Sequence, residues 1–104
     1  QVDLKEDGSF DFDGIRNAIN ERTKVVTIQR SKGYQTRPTL SVAKIGEAVA
    51  FVKNIRENII CMVDNCYGEF TELSEPTDVG VDMMAGSLIK NPGGGLAPVG
   101  GYIV

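Results

Sequence analysis

An α/β fold, with a mostly parallel sheet flanked by helices, is predicted by the alternation of two hydrophobic periods along the chain. Apolar residues three and four apart mark segments starting near positions 12 and 41, and β-branched runs fill 24–28 and 59–63. Helix, strand, helix, strand in this order is the rhythm of strands joined by crossover helices, which lays the strands parallel.

Each element has a local reason. Asp11 can cap a first helix, and Asp13 adds negative charge to its first turn, where the helix dipole favours it. Phe12, Ile15, Ala18 and Ile19 recur on one face and carry that helix to about Arg22. Lys24-Val25-Val26-Thr27-Ile28 is β-branched and apolar, which predicts a strand buried on both faces. Ser41 opens a second helix. Leu40 and Ile45 flank it at the spacing of a hydrophobic staple, and Ile45, Ala48, Val49 and Val52 form its apolar stripe. Ile59-Ile60-Cys61-Met62-Val63 is the next buried strand. Pro76, Pro92 and Pro98 punctuate a second half of short strands and loops, and Gly101-Tyr102-Ile103-Val104 reads as a strand just begun. Neither an internal repeat nor a low-complexity linker is present.

Composition removes several classes of function. A 41% hydrophobic content is that of an ordinary globular domain rather than a disordered chain. A net charge of −3 gives no electrostatic reason to bind nucleic acid. No apolar run approaches the roughly 18 residues of a membrane span, and no signal peptide opens the chain. Cys61 and Cys66 lack a zinc-like spacing and the chain has no histidine, so a structural metal is not expected. Two cysteines without a secretory signal read as reduced thiols of a cytoplasmic protein. Gln1 is no initiator methionine and the last residues begin a strand, so 104 residues are expected to be a piece of a longer protein.

In open α/β sheets ligands collect beyond the carboxyl ends of the strands. Asp64 and the segment Gln29–Tyr34 fall at such ends, and Lys90 follows the short segment Asp82-Met83-Met84-Ala85-Gly86. A strand-end aspartate and a lysine beside Gly93-Gly94-Gly95 suit pyridoxal phosphate (PLP). That cofactor needs an amine to hold its aldehyde as a Schiff base and a carboxylate to keep its pyridine nitrogen protonated. An ammonium cannot attack an aldehyde, so the site is expected to depress the Lys90 pKa, with apolar Leu88 and Ile89 as shielding. The bland alternatives are a surface lysine in a turn and an aspartate that caps its own turn with Asn65. The glycine run lacks the Gly-Lys-Ser/Thr ending of a nucleotide-binding loop, and lets the chain turn sharply past Lys90 instead.

The words Val63-Asp64-Asn65-Cys66-Tyr67-Gly68-Glu69-Phe70, Glu75-Pro76, Gly80-Val81-Asp82 and Ala85-Gly86-Ser87-Leu88-Ile89-Lys90-Asn91-Pro92-Gly93-Gly94-Gly95 resemble the fold-type I PLP enzymes. Within them the chain is most similar to the methionine gamma-lyase-like group known as aluminium resistance proteins, relatives of the cystathionine lyases. The likeness extends back through Ile28-Gln29-Arg30-Ser31-Lys32-Gly33-Tyr34.

The resemblance implies that residues 1–104 are the central part of the large, PLP-binding domain of a carbon–sulfur lyase. Lys90 would be the Schiff-base lysine and Asp64 the partner of the pyridinium. Ser87, three residues before the lysine, would bind the cofactor phosphate, and Asn65 is a further cofactor contact. The cystathionine-type relatives carry a threonine just before the lysine where this chain has Ile89, so one phosphate donor differs. Gln29, Arg30, Ser31, Tyr34, Tyr67 and Glu69 are pocket candidates without an assigned role; Arg30 suits an anion or a structural ion pair equally. The implied substrate is a small, sulfur-containing amino acid, and the implied assembly a homodimer or homotetramer. The same Lys90 and Asp64 would serve a PLP aminotransferase, and a non-catalytic α/β binding module with an incidental lysine is the competing reading from another class.

Overall fold

The computed structural model describes residues 1–104. Helix α1 spans Phe12–Ala18, strand β1 Val25–Gln29, helix α2 Val42–Ile55 and strand β2 Ile60–Asp64; a 3-10 turn at Pro76–Val79 precedes strands β3, Met83–Ser87, and β4, Gly101–Ile103. The four strands lie in the order β1-β2-β3-β4. β1, β2 and β3 are parallel and β4 returns antiparallel to β3. The predicted mostly parallel α/β sheet is therefore the observed one.

Local chemistry sets the helix ends. Asp11 Oδ1 accepts the Gly14 N–H at 3.0 Å and Ser41 Oγ accepts the Lys44 N–H at 3.3 Å, so both predicted caps are formed. α1 stops at Ala18, four residues before the expected Arg22. The reason is a competing turn. Asn20 accepts the Arg22 N–H and takes the Thr23 hydroxyl as acceptor for its own N–H, while Arg56 donates to the carbonyls of Asn20 and Thr23.

The stripe of Ile45, Ala48, Val49 and Val52 packs with Ile28, Cys61, Val63 and Met84 to form the core. α1 rests on this layer, with the Phe12 and Phe51 rings 4.7 Å apart. The opposite sheet face is open: Val25 and Ile60 are 47% and 44% exposed. Within residues 1–104, β1 and β2 alternate in burial where the sequence predicts burial on both faces, because both helices of this stretch lie on one side. The open face carries Gln29 and its register partner Asp64, followed across the sheet by Ala85. No helix is long and apolar enough to cross a membrane.

Candidate active site

β2 ends at Asp64, whose Oδ1 accepts the Cys66 N–H at 3.1 Å and turns the chain at once. Tyr67 follows with φ of 65°, a left-handed backbone that side chains beyond Cβ disfavour. Next comes Gly68, and its lack of a side chain is required: a Cβ there would stand 2.5 Å from the Arg30 side chain. The turn places the Tyr67 ring under Lys90, with Nζ 4.6 Å from the ring centroid. Lys90 sits on the turn after β3, where its carbonyl accepts the N–H groups of Gly93 and Gly94 at 3.2 and 3.1 Å.

A cleft of about 640 Å³ opens here, lined among others by Gln29, Ser31, Asp64, Cys66, Tyr67 and Lys90. The two residues singled out for chemistry, 26 positions apart in the chain, thus share one cavity. Ser87 ends β3 on the same edge of the sheet, three residues before Lys90, and does not line the cleft. Asn65 is fully buried: it accepts from Arg30 Nη1 at 2.7 Å and donates to Glu75 at 2.9 Å and to the Tyr102 hydroxyl at 3.3 Å. Its amide is committed to the protein interior.

The electrostatics of Lys90 differ from expectation. Hydrogen bonding to the Cys66 side chain, reinforced by Tyr67 and Asp64, raises the amine above the ordinary lysine value in place of the expected depression. Ile89, the expected shield, is 50% exposed. Burial in turn pushes the Cys66 thiol up, and its bond to Asp64 adds to the effect. Both cysteines are free thiols.

Beneath the cleft lies a polar hub centred on Arg30, which is only 1% exposed. The guanidinium pairs with Glu72 at 2.6 Å and Glu75 at 3.5 Å, and its Nε donates to the Leu40 carbonyl at 3.3 Å. Glu72 also accepts the Val42 N–H at 3.0 Å, so one carboxylate caps α2 and holds the arginine. Of the two roles open to Arg30 in the sequence, the structure shows the ion pair. Tyr102 joins the hub by donating to Glu69 at 2.7 Å; burial, then that bond, pushes its phenol up to about 12. Glu72 and Tyr102 escaped the sequence reading, and the only local signal was three glutamates spaced by three in one loop.

Removing the arginine strands a buried amide oxygen and two partners. Arg30→Met is expected to destabilise the protein by about 3–5 kcal/mol. The check is urea denaturation, in which the midpoint falls at unchanged slope. A shift below ~1 kcal/mol would deny the hub its structural weight.

The comparisons with known proteins agree with this architecture. The family model described as methionine gamma-lyase matches residues 1–104. The uncharacterized protein YnbB of Bacillus subtilis is 61% identical over 103 residues, 99% of this chain and 24% of its own length. A solved structure from Listeria monocytogenes, described as a candidate cystathionine beta-lyase involved in aluminium resistance, superposes with a TM-score of 0.96 at 55% identity over 99% of this chain and 25% of that one. Histidinol-phosphate aminotransferase of Staphylococcus carnosus is 37% identical over 78 residues, 75% of this chain and 21% of its own. The chain therefore spans about a quarter of the length of the relatives it matches. With a family model covering every residue of a fold that superposes this closely, the chain belongs to the methionine gamma-lyase family.

Proposed function

We propose that residues 1–104 form the central, cofactor-binding part of the large domain of a PLP-dependent carbon–sulfur lyase. The observation that carries the reading is the meeting of Lys90 and Asp64 in one cleft at the carboxyl ends of β2 and β3. An amine, a carboxylate and an aromatic ring are the donor set that PLP requires, so the residues present fit the cofactor. Ser87, at the same edge, is the proposed phosphate donor, and Asn65 supports the site from below through Arg30 and Tyr102. Bound PLP supplies an electron sink for a bond broken at the substrate α-carbon.

The chain's own residues do the rest. Lys90 would hold the cofactor through its amine, and Nζ, when free, would take the substrate α-proton as general base. Asp64 would serve as the carboxylate partner of the cofactor's ring nitrogen, and the bond it accepts from the Cys66 N–H fixes the direction of the carboxylate. Tyr67 lies against one side of the Lys90 amine and orients it through the ring face. The substrate is a small amino acid with sulfur in its side chain, in keeping with the lyase names of the family and of the Listeria structure. A homodimeric or homotetrameric assembly in the cytoplasm belongs to the same proposal.

The similarity to histidinol-phosphate aminotransferase favours a second reading, transamination on the same Lys90 and Asp64. One incubation separates them. A lyase given cysteine, cystathionine or methionine without any keto acid is expected to release ammonia together with a keto acid and a thiol or sulfide. A transaminase retains the amino group until a second keto acid accepts it. Turnover of the full-length protein only in the presence of an added keto acid would end the lyase reading and leave the cofactor reading standing.

A further inference from the structure

The turn that carries Lys90 is held by more than its own backbone. Gly93 and Gly94 tie it from within through the Lys90 carbonyl, and Leu88 donates its N–H to Gly100 at 3.0 Å. Besides the contacts of Lys90 itself with Cys66 and Tyr67, one side chain ties it to the backbone of the loop on the far side of the cleft. Asn91 Nδ2 donates to the backbone carbonyl of Glu69 at 3.1 Å. Glu69 is 4% exposed and its carboxylate accepts from the Tyr102 hydroxyl at 2.7 Å, so the accepting carbonyl belongs to a residue anchored in the interior. Two residues before Glu69 stands Tyr67, whose ring lies under Nζ. Asn91 itself is exposed and does not line the cleft.

We propose that Asn91 is a positioning residue: its hydrogen bond to the Glu69 carbonyl tethers the Lys90 turn to the Tyr67 loop and sets how the Lys90 amine reaches into the Asp64 cleft. The proposal rests on the reading of Lys90 as the reactive amine. A four-carbon lysine stem has no fixed direction of its own, and its rotamers cost about 2 kcal/mol to freeze. A tether immediately after the lysine narrows that freedom at the backbone. It also keeps the two loops at the separation at which Nζ meets Cys66, Tyr67 and Asp64, the groups that hold its proton; Lys32, on the same cleft wall, is the other cation there.

The test uses the full-length protein and Asn91→Ala, which removes the donor at an exposed position without adding charge beside Lys90. With the cofactor removed, Lys90 is acylated with an amine-selective reagent across a pH series and quantified by peptide mapping. The parent is expected to show a labelling midpoint above the ordinary lysine value of about 10.4. In the variant the midpoint is expected to fall towards that value, and the dissociation constant for PLP to rise about three- to tenfold, the weight of one hydrogen bond. A folded variant with the parent's Lys90 midpoint overturns the proposal. Should Asn91→Ala fail to fold, Asn91→Ser keeps a neutral polar side chain too short to span to the Glu69 carbonyl and is read by the same criterion. A parent in which Lys90 carries no cofactor would refute the proposed function alone, because the midpoint comparison still decides the tether.

Discussion

Lys90→Arg, in the full-length protein, is expected to lose turnover by at least about 10²–10⁴-fold while remaining folded. Arginine keeps a positive charge over the Tyr67 ring, where Nζ now lies 4.6 Å from the centroid, so the local ion–ring contact survives. What disappears is a nitrogen able to lose its proton, since a guanidinium stays charged at any working pH. On the proposed function, the variant can therefore neither hold the cofactor aldehyde covalently nor accept the substrate α-proton. Borohydride reduction and peptide mapping of the parent should place the pyridoxyl group on Lys90, and the same treatment of the variant should leave no label there. A label on another lysine, or full activity in the variant, would remove Lys90 from the role. The environment adds a pH signature. Cys66, Tyr67 and Asp64 raise the amine above its ordinary value, so the deprotonated form becomes more abundant only as pH rises. The rate at which added PLP attaches should accordingly climb with pH and not level off below the ordinary lysine pKa of about 10.4.

The parts of this fold that were legible in the sequence are those decided within one element. The Leu40–Ile45 staple and the stripe through Val52 announced α2, and that stripe is the buried one. The β-branched runs announced β1 and β2, but their burial depends on what lies above and below the sheet. With α1 and α2 on one side, Val25 and Ile60 face outwards although nothing in their own segments says so. α1 ends short of Arg22 for a similar reason: Ile19 continues the apolar period, yet the Asn20 and Arg22 N–H groups that would extend the helix go to Thr23 Oγ1 and Asn20 Oδ1, in a turn that Arg56, remote in the chain, secures through the Asn20 and Thr23 carbonyls.

The candidate site divides in the same way. Asp64 and Lys90 stand in strand-end and glycine-loop contexts that are visible as words, and their shared cleft follows from parallel strands whose carboxyl ends coincide. Arg30 was ambiguous because its partners lie far along the chain: Asn65 is 35 positions away and Glu72 is 42. A guanidinium on a strand end has the same local signature whether it meets a ligand or a glutamate. Asn65, similarly, sits beside Asp64 in the chain but on the opposite side of the pleat, where successive residues alternate faces. Offered by the sequence as a candidate cofactor contact, its amide is instead directed to Arg30 and Glu75.

On the proposed function, Asp64→Asn is expected to reduce turnover of the full-length protein by about 10–10³-fold with little change in stability. The amide retains an oxygen in the place of Oδ1, so the 3.1 Å bond from the Cys66 N–H can persist and the turn after β2 keeps its shape. The backbone is indifferent to the change as well: the Asp64 carbonyl accepts from the Arg30 N–H at 3.0 Å as part of the sheet edge. Only the charge is lost. A carboxylate within a few ångströms favours a protonated neighbour by about 1–3 pKa units, and each unit is tenfold in the protonated fraction once that neighbour's pKa lies below the working pH. The sign of the pH dependence follows. Without the anion the ring nitrogen holds its proton only at lower pH, so the activity of the variant should recover as pH falls and decline as it rises, relative to the parent. A purely structural aspartate predicts the opposite pattern, an altered unfolding midpoint with a parallel loss of activity at every pH. Measuring the variant-to-parent ratio across the pH range, beside a denaturation curve at each end, distinguishes the two; a flat ratio near one would take Asp64 out of the chemistry altogether.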